Sequence, residues 1–254
     1  MRCEAQPKAG RAITAVLAAA ALAGCATGVE SETGVARAGE VHRELLVLDT
    51  HLDTAINFGR EGWDFSQAHD VSGENAQVDL GRMAAGNLDG GFFVIFTEQG
   101  PLTAEGYRSA LDHARERSDT IDRELAKHPA MVGLARSAAE AEALIAQDKL
   151  IAFKSIENSY PIGEDLSLLR EFYDAGVRMA GPVHGGTNQL GDSATDDAKW
   201  NGLSPLGRQW VREMNRLGML IDASHASDAV LDQMLELSKA PIILSHSSPR
   251  WAYD

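Results

Sequence analysis

Short apolar segments alternate with longer amphipathic stretches along this chain of 254 residues. The apolar segments have the length and composition of buried strands, whereas the stretches between them repeat their apolar residues as one face of a helix requires. Strands and helices that alternate with short links are typical of βαβ units and a parallel sheet. The predicted strands cover 45–49, 91–96, 151–156, 179–183, 219–223 and 242–245. The predicted helices cover 104–127, 138–147, 165–175, 205–217 and 227–237.

Capping residues mark both ends of the helix predicted over 205–217. Ser204 stands at the N-cap, and Pro205 occupies the first turn, where its missing N–H is not needed. Gly218 follows the last helical residue and suits a left-handed C-terminal cap. These signals separate the helix cleanly from the strands on either side.

Repeated strand–helix units indicate a (β/α)8 barrel of the TIM type. Such a barrel has eight strands, and the pattern from residue 41 onward supplies about six of them. The sequence also stops directly after the sixth strand. We therefore expect residues 41–254 to form an incomplete (β/α)8 domain that is truncated at its C-terminal side.

The first residues have the composition of an export signal rather than of a folded domain. Arg2, Lys8 and Arg11 form a basic region, and an apolar run over 12–22 follows it. This run is too short to span a bilayer comfortably. The pattern predicts a secretory signal peptide.

The apolar run ends in Leu-Ala-Gly-Cys at 22–25, which resembles the bacterial lipobox. In that motif Cys25 is lipidated and becomes the new N-terminus, whereas an ordinary secretory signal with an incidental cysteine is the alternative. We expect a signal peptide over 1–24 and a flexible tether over 25–40, which is small, polar and without apolar periodicity. The protein is then an exported lipoprotein, anchored on the periplasmic or cell-surface side of a membrane.

Composition excludes some classes of function. The formal net charge is −14 and the sequence pI about 5.0, so the chain lacks the basic surface that nucleic-acid binding needs. Cys3 and Cys25 are the two cysteines, and no intrachain disulfide is expected after signal cleavage. Hydrophobic residues make up 44% of the chain, which suffices for a large core without such a crosslink.

Six residues with metal-binding side chains follow the predicted strands. Because a parallel barrel gathers the C-terminal ends of its strands on one face, side chains that are distant in sequence meet there. Imidazole and carboxylate groups together are the ligands expected for zinc or a similar divalent ion. The six residues are His51, Asp53, Glu157, His184, His225 and His246.

The spacing of these residues supports two metal positions that share one carboxylate. His51 and Asp53 are two residues apart in an extended segment, so both side chains project to the same side. Glu157 ends a buried strand, where an unpaired carboxylate is costly. One ion would then bind His51, Asp53 and Glu157, and the other Glu157, His225 and His246. Two ions about 3.5–4 Å apart can bind a hydroxide between them, which supplies a nucleophile at neutral pH and stabilises a developing oxyanion.

Alternative roles stay open for two of the six residues. Glu157 alternatively forms a salt bridge with Arg178 or Lys154, because ion pairs also occur at strand ends. His184 exceeds the ligand count, and we assign it to the substrate, where an imidazole stabilises a developing oxyanion. A buried core histidine with its own polar partner is the alternative for His184.

Other polar residues receive weaker assignments. The loop after His184 carries three residues that either shape the pocket or form turns, namely Asn188, Asp192 and Ser193. Four further histidines are interpreted as surface or structural residues, namely His42, His69, His113 and His128. No Gly-x-Ser-x-Gly elbow, Walker A loop or dinucleotide-binding glycine motif competes with the metal site.

Six motifs surround the candidate ligands. They are Asp-Thr-His-Leu-Asp at 49–53, Ile-Glu-Asn at 156–158, Gly-Val-Arg at 176–178 leading to His184, Gly-Leu-Ser-Pro-Leu-Gly at 202–207, Asn-Arg-Leu-Gly at 215–218 with Ile-Asp-Ala-Ser-His at 221–225, and Ser-His-Ser-Ser at 245–248. Together they resemble the membrane dipeptidase (renal dipeptidase) family of zinc metallopeptidases, from about residue 45 to residue 254. The resemblance implies a metal-dependent barrel related to the amidohydrolases, two zinc ions and dipeptide substrates.

The resemblance also implies a role for each candidate residue. His184 corresponds to the family histidine that contacts the substrate at the scissile bond. The first zinc would be bound by His51 and Asp53 and the second by His225 and His246, with Glu157 bridging both.

The chain departs from the family pattern at its C-terminal side. Family members continue through two further strands, with an arginine that binds the substrate carboxylate and an aspartate that protonates the leaving amine. Neither position is present in this sequence, and Arg250 precedes the expected position of the arginine. The activity of this shorter chain is therefore left open.

We expect an exported, lipid-anchored zinc dipeptidase that acts on small dipeptides. Two alternatives remain at this point. The same metals serve other amidohydrolase-type reactions on a lactone, a phosphoester or a cyclic amide, and a metal-binding lipoprotein impaired in catalysis also fits the sequence. A homodimer is left open as well.

Overall fold

The computed structural model describes residues 29–74 and 76–248 of the chain. The expected signal peptide and the lipidation site at Cys25 lie outside these residues. Among the described residues, no helix combines the length and the hydropathy that a membrane crossing requires. The sheet belongs to the compact unit His42–Asp254.

Six parallel strands form one sheet in the described part of the chain. The strands are β1 (Leu48–Leu52), β2 (Gly90–Ile95), β3 (Val132–Leu134), β4 (Leu150–Ile156), β5 (Val177–Ala180) and β6 (Leu220–Ile221). The helices are α1 (Val29–Glu44), α2 (Val71–Glu74), α3 (Leu80–Ala85), α4 (Ala104–Ala126), α5 (Ala138–Ile145), α6 (Ser167–Asp174), α7 (Pro205–Leu217) and α8 (Asp228–Leu237). Short 3-10 helices follow β1 and β4, at Asp53–Asn57 and Tyr160–Ile162. The predicted α/β class with a parallel sheet is confirmed.

The order of the strands departs from simple succession at β3. Neighbouring strands run β1, β2, β4, β5 and β6, while β3 pairs with β4 alone. Because β2 occupies one edge of β4 along its length, β3 and β5 share the other edge. Val132 lies opposite Leu150 at the start of β4, whereas Ala180 lies opposite Ile156 at its end. The sequence pattern missed β3, since three residues are too few to show a period of two.

The segment predicted as a strand over 242–245 forms a single parallel bridge instead. Ile243 lies opposite Asp222, and its N–H donates to the carbonyl oxygen of Ile221 at 2.9 Å. Leu244 is exposed. Without a second described neighbour strand to cover it, an apolar run of this length gains little from extended pairing.

The sheet curls until its first and last segments approach each other at the carboxyl ends of the strands. The hydroxyl of Thr50 in β1 donates to the carbonyl oxygen of Ser245 at 2.6 Å, 195 residues later in the chain. The rings of His51 and His246 lie 3.7 Å apart, between their centroids. The described strands thus form an open half of a TIM-type barrel, curved around the predicted site.

Helix α7 shows how the sequence fixes the layer that covers the sheet. Ser204 caps its N-terminus by accepting the N–H of Gly207 at 3.0 Å. At the other end, Gly218 has a φ of 74°, in the left-handed region that favours glycine. Between these caps, Trp210 and Met214 are fully buried one turn apart and pack into the main core. The predicted helix boundaries are confirmed at both ends.

Residues 29–40 differ from the tether expected over 25–40, because they form most of α1. Helix formation here does not need an apolar stripe. The segment contains three glutamates, two alanines and one arginine, which have good helix propensity. His42 and Arg43 in the last turn also complement the negative end of the helix dipole.

The buried ammonium group of Lys154 joins β4 to α4. The side chain of Lys154 is fully buried, and its Nζ lies 2.9 Å from both carboxylate oxygens of Asp122 and 2.9 Å from the hydroxyl of Ser118. Burial lowers the pKa of Lys154, although Asp122 opposes this shift. The ammonium group therefore depends on its two partners for compensation.

Removing the anion should cost more stability than removing the cation. Asp122→Ala leaves a buried ammonium group without its counterion, and we expect a loss of about 2–3 kcal/mol in the free energy of unfolding, below that of a fully buried pair because Asp122 is partly exposed. Lys154→Met keeps the volume and leaves a carboxylate that water reaches, so the change should stay within about 1 kcal/mol. Urea denaturation of both variants measures the difference. A larger loss for Lys154→Met than for Asp122→Ala would contradict this account.

Candidate metal centre

The six predicted residues lie at the carboxyl end of the curled sheet. His51 belongs to the end of β1, and Asp53 begins the 3-10 helix that follows it. Glu157 comes directly after β4. The other three, which follow β5, β6 and the bridge at Ile243, are His184, His225 and His246. Parallel strand ends therefore bring together residues that span most of the described chain.

The carboxylate of Glu157 lies at the centre of four imidazoles. Its Oε1 is 2.9 Å from Nε2 of His225, 3.4 Å from Nε2 of His246 and 3.6 Å from Nε2 of His184. Its Oε2 is 3.8 Å from Nε2 of His51. Since Glu157 is only 8% exposed, these nitrogen donors surround a carboxylate that water barely reaches. Nitrogen and oxygen donors converging on one point are the ligands that zinc takes in proteins.

The ionisation of the cluster follows from this arrangement. Burial alone would raise the pKa of Glu157, but its contacts with His225 and His246, with the charges of His51 and His184, lower it well below its ordinary value. Burial would likewise lower the pKa of His51, but Asp53 and Glu157 raise it. The carboxylate at the centre is therefore ionised throughout the neutral range.

His51 and Asp53 project to the same side, as their spacing predicted. Nε2 of His51 lies 3.3 Å from Oδ1 of Asp53. The side chain of His51 is 9% exposed, whereas that of Asp53 is 73% exposed. The pair thus reaches from the buried carboxylate of Glu157 out to the open side of the site.

The donors form one continuous cluster rather than two separate sets. Nε2 of His225 lies 2.7 Å from Nε2 of His246, and the ring of His184 lies 4.4 Å from the ring of His225. Within this cluster, two groups place their ligand atoms within 4.8 Å of one another: His51, Glu157 and His246, and Glu157, His184 and His225. Glu157 is common to both groups, as a bridging ligand requires, but His246 is grouped with His51 and His184 with His225, unlike the two predicted ligand sets.

The backbone of His225 adopts a strained conformation. Its φ is 65°, in the left-handed region that residues with a side chain rarely occupy. Strain of this kind costs on the order of 1 kcal/mol and persists where the surrounding structure enforces it. Here the turn after β6 directs the imidazole at Glu157. A strained residue that contacts a buried carboxylate indicates a functional rather than a packing role.

A chain of hydrogen bonds orients His246. The hydroxyl of Ser245 donates to Oδ2 of the buried Asp222 at 2.5 Å, and the same oxygen lies 2.7 Å from Nδ1 of His246. Because the single hydroxyl proton of Ser245 goes to the carboxylate, its oxygen accepts from Nδ1–H. Nε2 of His246 then presents its lone pair to the cluster, the arrangement that a metal-ligating histidine needs.

His184 stands at the open side of the cluster. Its side chain is 38% exposed, and its ring packs edge-on against Phe96 with centroids 5.0 Å apart. Burial lowers the pKa of His184, and Glu157 opposes this shift only in part. The alternative of a buried core histidine is wrong, because the imidazole faces a cavity.

Neither cation proposed as an alternative partner reaches Glu157. Lys154 pairs with Asp122. The guanidinium of Arg178 donates to the carbonyl oxygen of Tyr173 at 2.7 Å and stacks on the Tyr173 ring at 3.9 Å from its centroid. The histidines are therefore the groups that compensate the charge of Glu157 among the described residues.

A cavity of about 650 Å³ opens in front of the cluster. Asp53, Glu157 and His184 line it together with residues that the sequence analysis did not select, among them Glu98, His113 and Arg117. Glu98 lies three residues after the end of β2, whereas Glu157 directly follows β4. A search for carboxylates within three residues of a strand end would have found it. His113 was interpreted as a surface or structural residue, and the structure places it in the wall of this cavity.

The other histidines assigned to structure have structural contacts. Nε2 of His42 lies 3.0 Å from the carbonyl oxygen of Gly86. His69 stacks on Trp63, with centroids 3.5 Å apart. His128 lies 3.2 Å from a carboxylate oxygen of Asp64. None of these three contacts involves Glu157, so they take no part in the cluster.

The polar residues after His184 organise their own loop. Asp192 is buried and accepts the N–H groups of Lys199 and Gly202, both at 2.8 Å. Ser193 donates from its hydroxyl to the carbonyl oxygen of His184 at 2.6 Å. These residues were expected either to shape the pocket or to form turns, and their contacts support the second role. Through Ser193 the loop also fixes the backbone of His184.

Known proteins resemble this chain over most of its length. Residues 35–254 match the family model described as membrane dipeptidase (peptidase family M19). An uncharacterised dipeptidase of Schizosaccharomyces pombe is 33% identical over 219 residues, which cover 82% of this chain and 53% of that protein. The chain spans about half the length of the curated relatives it matches.

Solved structures show the same relationship. The probable dipeptidase PvdM from Pseudomonas aeruginosa superposes with a TM-score of 0.79 at 31% identity, covering 87% of this chain and 56% of that one. A metallopeptidase termed dipeptidase AC superposes with a TM-score of 0.69 at 27% identity, covering 80% and 63%. The chain therefore belongs to the membrane dipeptidase family, peptidase family M19.

Proposed function

We propose that this chain carries the metal centre of a zinc-dependent dipeptidase. The observation that carries the proposal is the single buried carboxylate of Glu157, which lies within 2.9–3.8 Å of four imidazole nitrogens at the carboxyl end of a TIM-type sheet. Membership of the membrane dipeptidase family supplies the reaction class. The metallopeptidase among its structural relatives supports a metal-dependent reaction.

The donor set fits two zinc ions that share Glu157. His51 and Asp53 would hold the first ion, and His225 and His246 the second. The convergence of Nε2 of His225 and Nε2 of His246 to 2.7 Å supports this fit, because it places two nitrogen ligands side by side next to Glu157. When bound, a pair of such ions supplies Lewis-acid activation of water and stabilisation of developing negative charge.

The protein's own side chains would bind the substrate and stabilise the transition state. Glu157, ionised at neutral pH, compensates positive charge at the base of the cavity. His184 with a lowered pKa is neutral there and carries one N–H, which it would donate to the carbonyl oxygen of the scissile peptide. Phe96 beside the imidazole restricts its rotation. The cavity in front of these groups has room for a dipeptide.

Export and anchoring are separate proposals. The basic and apolar N-terminal sequence and the Leu-Ala-Gly-Cys motif at 22–25 support a lipoprotein signal with lipidation at Cys25. Mass spectrometry of the protein purified from membranes would detect a lipidated Cys25 as the first residue. An unmodified N-terminus beginning elsewhere would contradict it.

Metal analysis combined with a substrate panel tests the dipeptidase function. We expect about two zinc ions per chain, turnover of L,L or L,D dipeptides, loss of turnover on chelation and recovery on adding zinc. Lactones and phosphoesters belong in the same panel. Their turnover without any dipeptide turnover would replace this proposal with another amidohydrolase-type reaction, and bound zinc without hydrolysis of any substrate would reduce it to metal binding.

A further inference from the structure

A second cavity adjoins the one in front of the metal centre. It measures about 490 Å³ and lies between the segment after β2 and the first turns of α4. Glu98 and His113 line both cavities, so the two spaces meet at these side chains. A molecule held at the metal centre would therefore reach the second cavity past Glu98.

The walls of the second cavity offer negative charge. Glu98 and Glu105 both line it, and its described lining includes no lysine or arginine. The fully buried Tyr160 supports one wall, since its hydroxyl donates to the carbonyl oxygen of Pro101 at 2.7 Å. The groups available to a ligand here are therefore the carboxylates.

Glu98 is not one of the residues that surround Glu157. It is exposed, and its charge acts on His184, where it opposes the lowering of the pKa by burial. Arg117 is the one lysine or arginine in the described lining of the first cavity, and it donates to the carbonyl oxygens of Phe58 and Ala55 rather than to Glu98. A carboxylate without a lysine or arginine partner among the described residues thus lies at the junction of the two cavities.

We propose that the second cavity is a side-chain subsite for a cationic residue of the dipeptide, with Glu98 as its specificity-determining residue. The inference rests on the proposed dipeptidase function. A lysine or arginine side chain is long and flexible, and it would extend from the metal centre into the adjoining cavity, where Glu98 pairs with its charge.

Matched substrates isolate the charge of the side chain. Lys-Ala is compared with norleucine-Ala, and Ala-Lys with Ala-norleucine. The members of each pair differ only in the side-chain ammonium group, and the two pairs differ in whether this side chain is on the first or the second residue. Because Glu98 is exposed, we expect kcat/KM to favour the lysine substrate about three- to fivefold in one of the two pairs. The preference should decrease at high ionic strength, since salt screens exposed charges.

Glu98→Gln should abolish that preference, measured within the variant as the ratio of kcat/KM for each lysine substrate to kcat/KM for its norleucine partner. Asp112→Asn is the matched control, because Asp112 is an exposed carboxylate on the same helix as His113 and lines neither cavity. Equal loss on charged and neutral substrates in Glu98→Gln would show that Glu98 binds the α-ammonium group, and it would overturn the subsite. A preference that survives Glu98→Gln would overturn it too.

Binding measurements test the subsite independently of the proposed reaction. If no dipeptide is hydrolysed, calorimetry with the same four dipeptides still measures whether the lysine side chain strengthens binding. A charge preference in binding that Glu98→Gln removes would support the subsite while the dipeptidase function fails. Equal binding of lysine and norleucine dipeptides would reject the subsite.

Discussion

Replacing Glu157 with glutamine should abolish tight zinc binding and lower kcat/KM for dipeptides on the order of a thousandfold. The amide keeps the size of the side chain but removes the negative charge at the centre of four imidazoles. Because Glu157 is buried, solvent cannot replace that charge, and two cations would lie next to each other without compensation. Zinc content after dialysis and steady-state kinetics measure the two effects.

Asp79→Asn is the control for a buried carboxylate changed elsewhere. Asp79 is 1% exposed and caps α3, outside the cavity of the metal centre. This variant should lose stability, because Asp79 accepts the N–H of Arg82 at 2.7 Å, but it should keep its zinc and its activity below its unfolding temperature. Retention of about two zinc ions in Glu157→Gln would refute the role assigned to Glu157.

The position of the site could be predicted from the sequence, because its residues lie at the ends of strands. His51, Glu157 and His225 each follow an apolar run, and parallel pairing dictates that the ends of such runs meet. Helix boundaries were accessible for a similar local reason, as Ser204 and Gly218 show. What these signals share is that each depends on the few residues around it.

Features that depend on distant contacts escaped the same analysis. Strand β3 exists because Val132 and its neighbours pair with the start of β4, and no local period announces this. The approach of Thr50 to Ser245 arises from the curl of the entire sheet. The strained backbone of His225 and the hydroxyl relay from Asp222 to His246 are likewise set by packing, so residue type and spacing alone did not predict them.

Of the six site residues, His184 is the one whose role, substrate contact or metal ligand, is least determined by distances. Its Nε2 is 3.6 Å from Glu157, not far from the 3.4 Å of His246, a proposed ligand. Two observations distinguish it: its greater exposure, 38% against 27% for the His246 side chain, and its place in the wall of the cavity. A group that faces the cavity contacts whatever the cavity holds.

His184→Ala should therefore lower kcat by about a hundredfold or more while leaving zinc content and KM nearly unchanged. An oxyanion donor acts mainly in the transition state, so its loss appears in kcat rather than in ground-state binding. His225→Ala, by contrast, should lose zinc, because its nitrogen lies 2.9 Å from the shared carboxylate. Substituting cobalt and recording its absorption spectrum gives a readout of the ligand set. A spectrum altered in His184→Ala as strongly as in His225→Ala would make His184 a ligand and leave the oxyanion without its proposed donor.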